Sequence, residues 1–124
     1  MIYNTITEDK RKSKRFAIDL SARYLLGESS QEWKGCSIIN TSHDGLGIEV
    51  YLKEKIHVGT TLRMEITVST KETPIKSIGI LMWIKELKEE TDFVGGVKLT
   101  KIDSEDKWTL MDYVYDNWSG KEQV

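Results

Sequence analysis

Thr61-Leu62-Arg63-Met64-Glu65-Ile66-Thr67-Val68 decides the fold class. Apolar and polar side chains alternate one by one through this stretch, and a period of two puts them on opposite faces of an extended strand. The same alternation recurs on both sides of it. Upstream, Phe16, Ile18, Leu20, Ala22, Tyr24 and Leu26 mark a strand over residues 16–26, followed by a turn-rich break at 27–31. Residues 33–40 make a second strand, with Cys36, Ile38 and Ile39 as its apolar positions. Residues 42–45 then turn the chain, and 46–52 form a third strand with Leu46, Ile48 and Val50 on one face. Downstream, Pro74 fits a loop or a strand edge, where its missing N–H does no harm. Residues 75–87 form a long strand, apolar on both sides near Leu81, Met82 and Trp83, so both faces are expected to be covered there. Residues 93–99 form a sixth strand, in which Gly95-Gly96 announces a bulge or a close backbone approach.

The period changes only at the end. Asp103 or Ser104 can cap a helix, and Trp108, Met111, Tyr115 and Trp118 recur at helical spacing, with Gly120 as a stop. This aromatic stripe is expected to pack on the sheet or over a barrel mouth; a dimer interface is the alternative, so a monomer and a homodimer both fit. About six antiparallel strands and one terminal helix make an all-β protein, a small barrel or a tightly curled sheet whose closure would remove exposed edges.

The 124 residues, 39% hydrophobic and 31% charged, suit a single globular domain. The expected division is a mobile start at 1–9, a domain at 10–118 (basic arm 10–15, barrel 16–102, helix 103–118) and a tail at 119–124. Net charge is −2, but residues 10–15, Lys-Arg-Lys-Ser-Lys-Arg, hold five of the 18 basic groups. Without them, 13 basic residues face 20 acidic ones, a body of −7 carrying an arm of +5. Such a cluster suits a small polyanion better than a long duplex, which the body would repel. Cys36 is the only cysteine, and neither a signal peptide nor a membrane span is readable, so a cytoplasmic location is expected.

Two short stretches carry chemistry. Arg11 and Arg15 stand four apart in the arm. A guanidinium offers a planar fork of donors that grips a phosphate, or the N7/O6 edge of guanine, through two hydrogen bonds. In an extended arm the two are about 13 Å apart at most, within reach of one dinucleotide. A solvated basic tail, or a nonspecific nucleic-acid arm, would look the same. Asn40-Thr41-Ser42-His43-Asp44-Gly45 lies between two strands. Asn40 offers a donor and an acceptor for a base edge, Ser42 a small hydroxyl, and Gly45 the positive φ of a tight turn. A plain hairpin loop would use the same residues.

Arg11-x-x-x-Arg15 followed by Asn40-x-Ser42-x-x-Gly45 resembles the signature of the PilZ domain family, bacterial receptors for cyclic di-GMP. Gly79-Ile-Leu-Met-Trp83 is similar to the family's fifth-strand pattern and Gly95-Gly-Val-Lys-Leu99 to its last strand, so the likeness covers roughly residues 10–118. The resemblance implies a six-stranded antiparallel barrel of the split-barrel type with a C-terminal helix and no catalysis. Cyclic di-GMP would be the ligand, with no cofactor or metal, and the signal would pass to a downstream protein. Arg11 and Arg15 would hold phosphates and guanine Hoogsteen edges, Asn40 and Ser42 would contact guanine and the adjoining phosphoribose, and Gly45 would shape the loop. Asn40 stands where Asp is commoner; an Asp would accept from guanine N1–H and N2–H, whereas Asn accepts only through its carbonyl. Lys10 and Lys14 would add charge, Lys10 at a position that influences whether one ligand or a pair binds. Trp83 would either stack near a base or fill the barrel core, and the core is preferred.

Other chemistries find little support. Two histidines and one cysteine do not make a zinc set, and no phosphate-binding Gly-x-x-x-x-Gly-Lys loop is present. A barrel for single-stranded nucleic acid would interleave aromatic and basic residues along the sheet, whereas here the basic charge sits in the arm and many aromatics in the helix. A PilZ-like interaction module with little or no nucleotide binding is the other rival; its mark would be loss of the Arg pair or of Asn-x-Ser, and both are kept.

Overall fold

Each alternating stretch becomes a strand. The structure is a computed structural model that describes residues 15–27, 29–87 and 91–118. The strands are β1 (Arg15–Leu26), β2 (Lys34–Ser42), β3 (Gly47–Leu52), β4 (Thr61–Ile66), β5 (Ile75–Glu86) and β6 (Phe93–Ile102), and one helix follows, α1 (Ser104–Trp118). They close into an antiparallel barrel in the order β1-β2-β3-β6-β5-β4. In β4, Leu62, Met64 and Ile66 are buried, and with Val68 they join Leu20, Tyr24, Ile38, Val50, Leu52 and Leu81 in one core. Because the barrel is closed, the paired strands leave no open edge for a second chain.

Register shifts in β1, β2 and β5 set which side chains leave this core. In β2, the step from Ile38 to Asn40 faces the single step from Val50 to Glu49, so Ile39 is the extra residue. A strict period of two would point Asn40 the same way as buried Ile38. The bulge reverses the parity: Thr41 is fully buried, and Asn40 turns outward. The first strand is irregular between Ala17 and Leu20, opposite this stretch. In β5, Leu81 pairs with Val97 but Trp83 pairs with Gly96, so Met82 is the extra residue.

The bulge in β5 corrects two expectations. Residues Ile75, Ser77, Gly79 and Leu81 face inward, and continuing that series would put Trp83 in the core. Instead Trp83 is 40% exposed and Met82 54% exposed, so the outer face of β5 is not covered there. At Gly95-Gly96 the extra residue lies in the partner strand β5 rather than in β6, and what comes close to the Gly96 backbone is the Trp83 ring.

The helix also faces differently from the aromatic stripe. Leu110 and Val114, four apart, are the buried pair, with Met111 and Tyr113 half-buried beside them. Trp108 is 69% and Tyr115 60% exposed. The aliphatic pair seals the barrel, and the aromatics flank it; the side chain of Trp118 and the stop at Gly120 lie outside the described residues. No described helix is long and apolar enough to cross a membrane.

Candidate functional site

The turn after β2 is built by its own side chains. Ser42 ends β2, and its carbonyl accepts from Gly45 N–H at 3.0 Å, closing the turn with Gly45 at φ +77°. Gly47 N–H donates to Ser42 Oγ at 3.0 Å, and the Ser42 hydroxyl donates to the Asp44 carboxylate. Asp44 also accepts from Leu46 N–H at 3.0 Å. The Ser42 hydroxyl first, then the Leu46 N–H, hold the Asp44 carboxyl below its ordinary value, against partial desolvation. A Cβ on Gly45 would come within 2.6 Å of Met111 Sδ, so the turn is packed directly on α1.

Arg15 begins β1 directly across the ladder from Ser42. Its Nη1 donates to Asn40 Oδ1 at 3.0 Å and to the Gly47 carbonyl at 3.3 Å. The Asn40 amide nitrogen in turn donates to Glu49 Oε1 at 2.6 Å. Arg15, Asn40, Ser42 and Gly45 are therefore gathered at one end of the barrel. Arg11, Lys10 and Lys14, expected to join them, lie outside the described residues.

Arg15 and Ser42 line a depression of about 410 Å³ on the outer barrel wall. Two glycines, Gly47 and Gly96, leave its floor without side chains; Trp83 and Lys98 bound it on the far side. Trp83 is thus brought to the Arg15 end of the barrel by the bulge at Met82. A larger hollow of about 730 Å³ lies on the helix side of the same turn, between Phe16, His43, Trp108 and Met111, and shares Asp44 with the first. Arg15 and Ser42 line the smaller depression and not the larger hollow, which makes the smaller one the candidate site. Among the described residues, no cluster of His, Cys, Asp or Glu could hold a metal ion.

Glu49, Gly47, Gly96 and Lys98 were not singled out from the sequence as site residues. The alternation Ile48-Glu49-Val50 marks Glu49 as outward-facing, but its partner Asn40 is defined only by the β2–β3 register.

The family model described as PilZ domain matches residues 9–116. Among solved structures, the Bacillus subtilis Inhibitor of motility (MotI/DgrA) superposes with a TM-score of 0.71 at 19% identity, over 91% of this chain and 53% of that one. This chain therefore spans about half the length of that neighbour. The PilZ domain of YcgR from Escherichia coli, solved with c-di-GMP, superposes with a TM-score of 0.64 at 11% identity, over 93% of this chain and 99% of that one. A search of curated proteins finds no match. The family match spans nearly the whole chain and the neighbours share its closed barrel: the chain belongs to the PilZ domain family.

Proposed function

We propose that this protein is a bacterial cyclic di-GMP receptor that acts through a partner protein rather than by catalysis. One observation carries the reading. Arg15, Asn40 and Ser42 converge at one end of the barrel beside a glycine-floored depression with Trp83 on its far side. A guanidinium at a strand start and a hydroxyl at a turn suit phosphate and guanine, and an indole offers a stacking face. The YcgR neighbour, solved with c-di-GMP, supports the ligand class.

In this reading Arg15 releases part of its bond to Asn40 and takes the ligand's phosphate or the guanine N7/O6 edge, Ser42 contacts the phosphoribose, and Gly45 keeps the turn open. Arg11, with Lys10 and Lys14, closes over the ligand from the arm at 10–15. Ordering the arm changes the surface that a downstream protein meets. The helix side bearing Trp108 and Tyr115 stands open beside the same turn, so a change at Asp44 is felt on both sides. The acidic body disfavours nucleic acid as the partner, and a cytoplasmic location suits a soluble second messenger.

Calorimetric titration with cyclic di-GMP tests this. Wild type should bind one or two ligands per chain, and Arg11→Ala or Arg15→Ala should each cost about 2 kcal/mol or more, the worth of a charged hydrogen-bonding pair. A folded wild type that gives no heat at micromolar ligand would make the protein an interaction module instead. Equal weakening toward random oligonucleotides would point to nonspecific electrostatics.

A further inference from the structure

The carboxylate that an Asp at position 40 would offer is present in this chain on the next strand. Asn40 and Glu49 stand directly opposite each other in the β2–β3 ladder, joined by the 2.6 Å bond from Nδ2 to Oε1. On its other side, Asn40 Oδ1 accepts from Arg15 at 3.0 Å. A guanidinium only donates and a carboxylate only accepts, so these two neighbours leave the amide a single orientation, carbonyl toward Arg15 and amino group toward Glu49. Arg15 and Glu49 form no ion pair with each other; the amide stands between cation and anion.

Glu49 does not line the depression itself but stands next to one of its glycines in the ladder. Its partner on β6 is Gly96, and the partner of Gly96 on β5 is Trp83. One row thus crosses the outer wall: Asn40, Glu49, Gly96, Trp83. The Trp83 ring itself lies over Gly96, so a base stacked on the outer face of that ring would turn its edge toward the Glu49 carboxylate. Only one Glu49 oxygen is engaged by Asn40.

We propose that Glu49 is the guanine-selecting residue of this site: it locks the Asn40 amide and presents its second carboxylate oxygen to guanine N1–H and N2–H. The proposal rests on the nucleotide reading above. Guanine carries acceptors at N7 and O6 and donors at N1 and its 2-amino group. A cation and an anion held on either side of Asn40 match that order. Adenine, with an amino group in place of O6 and a bare N1, mismatches both. The same pairing gives a physical reason for Asn at position 40. An Asp there would set two carboxylates at hydrogen-bond distance with no proton to share, whereas Asn donates to one charge and accepts from the other.

The test is a ligand–residue cycle on the full chain. Cyclic di-GMP and cyclic di-inosine monophosphate, which lacks only the 2-amino groups, are titrated by calorimetry into wild type and Glu49→Gln. Gln keeps an acceptor for Asn40 Nδ2, so the amide stays locked and only the anionic acceptor is lost. Wild type should prefer cyclic di-GMP by about tenfold or more, and in Glu49→Gln that ratio should fall toward one. A purely structural role for Glu49 would weaken both ligands alike and leave the ratio unchanged; an unchanged ratio in a folded variant overturns the proposal while leaving the receptor reading standing. Wild type that binds neither ligand overturns the receptor reading and the proposal together.

Discussion

The indole of Trp83 occupies the place where any side chain at Gly96 would have to go: a Cβ built on Gly96 would overlap Nε1, Cε2 and Cδ1 of the ring. The two residues are ladder partners, and the bulge at Met82 is what turns the ring toward this glycine. The depression beside Arg15 therefore owes its far wall to a glycine three strands away from the arginine.

Gly96→Ala should displace the indole. Trp83 is part-exposed and can swing outward, so the barrel should lose only about 1 kcal/mol. Affinity for cyclic di-GMP should fall by about tenfold, because the wall is lost while the polar contacts remain. Chemical denaturation and calorimetry measure the two effects separately. An unchanged affinity would remove Trp83 from the site.

Gly45→Ala faces two distinct costs. Its φ of +77° disfavours any side chain, worth about 1 kcal/mol, and the new Cβ would come within 2.6 Å of Met111 Sδ. Together they should destabilise the fold by about 2 kcal/mol in urea. Adding Met111→Ala should recover the steric share of the Gly45→Ala loss but not the backbone share. Full additivity of the two single losses would show that the turn and the helix are not coupled there.

The helix substitutions should divide opposite to the aromatic pattern. Leu110→Ala, at a position 1% exposed, should cost about 2–5 kcal/mol through lost burial and the cavity left behind. Trp108→Ala, at 69% exposure, should change stability by less than about 0.5 kcal/mol. Urea midpoints of the two variants decide the matter, and a large loss at Trp108 would mean that its ring packs in solution.

Asp44 makes the turn acid-sensitive. Its folded carboxyl titrates below the ordinary 3.8, chiefly through the Ser42 hydroxyl and the Leu46 N–H. A depressed value means that the charged form stabilises the fold. That stabilisation is complete above 3.8 and is lost as pH falls from there through the lowered folded value. Unfolding free energies of wild type should therefore drop across this acid window more steeply than those of Asp44→Asn. Equal slopes would mean that the carboxylate contributes nothing to the folded turn.

Much of this architecture is legible in the residues alone, because it is local. Alternation in Leu62-Arg63-Met64-Glu65-Ile66 needs no partner strand to mark β4, and Asp44-Gly45 needs none to mark a turn. The spacing of Arg11, Arg15, Asn40, Ser42 and Gly45 likewise points to the family before any fold is seen. Parity and register are different, because they belong to pairs of strands. Nothing within Gly79–Trp83 tells Met82 to be the extra residue; that follows from how β5 meets β6, and it moves Trp83 from the expected core to the outer wall. The helix shows the same limit, since which stripe is buried depends on the shape of the barrel it covers, and that shape admitted Leu110 and Val114 rather than the larger rings. Glu49 shows it most plainly: the sequence determined that it faces outward, and only the β2–β3 register set its carboxylate against Asn40. Local periodicity thus decided the strands and the motif, while cross-strand pairing, a property no single segment carries, decided which side chains meet at the site.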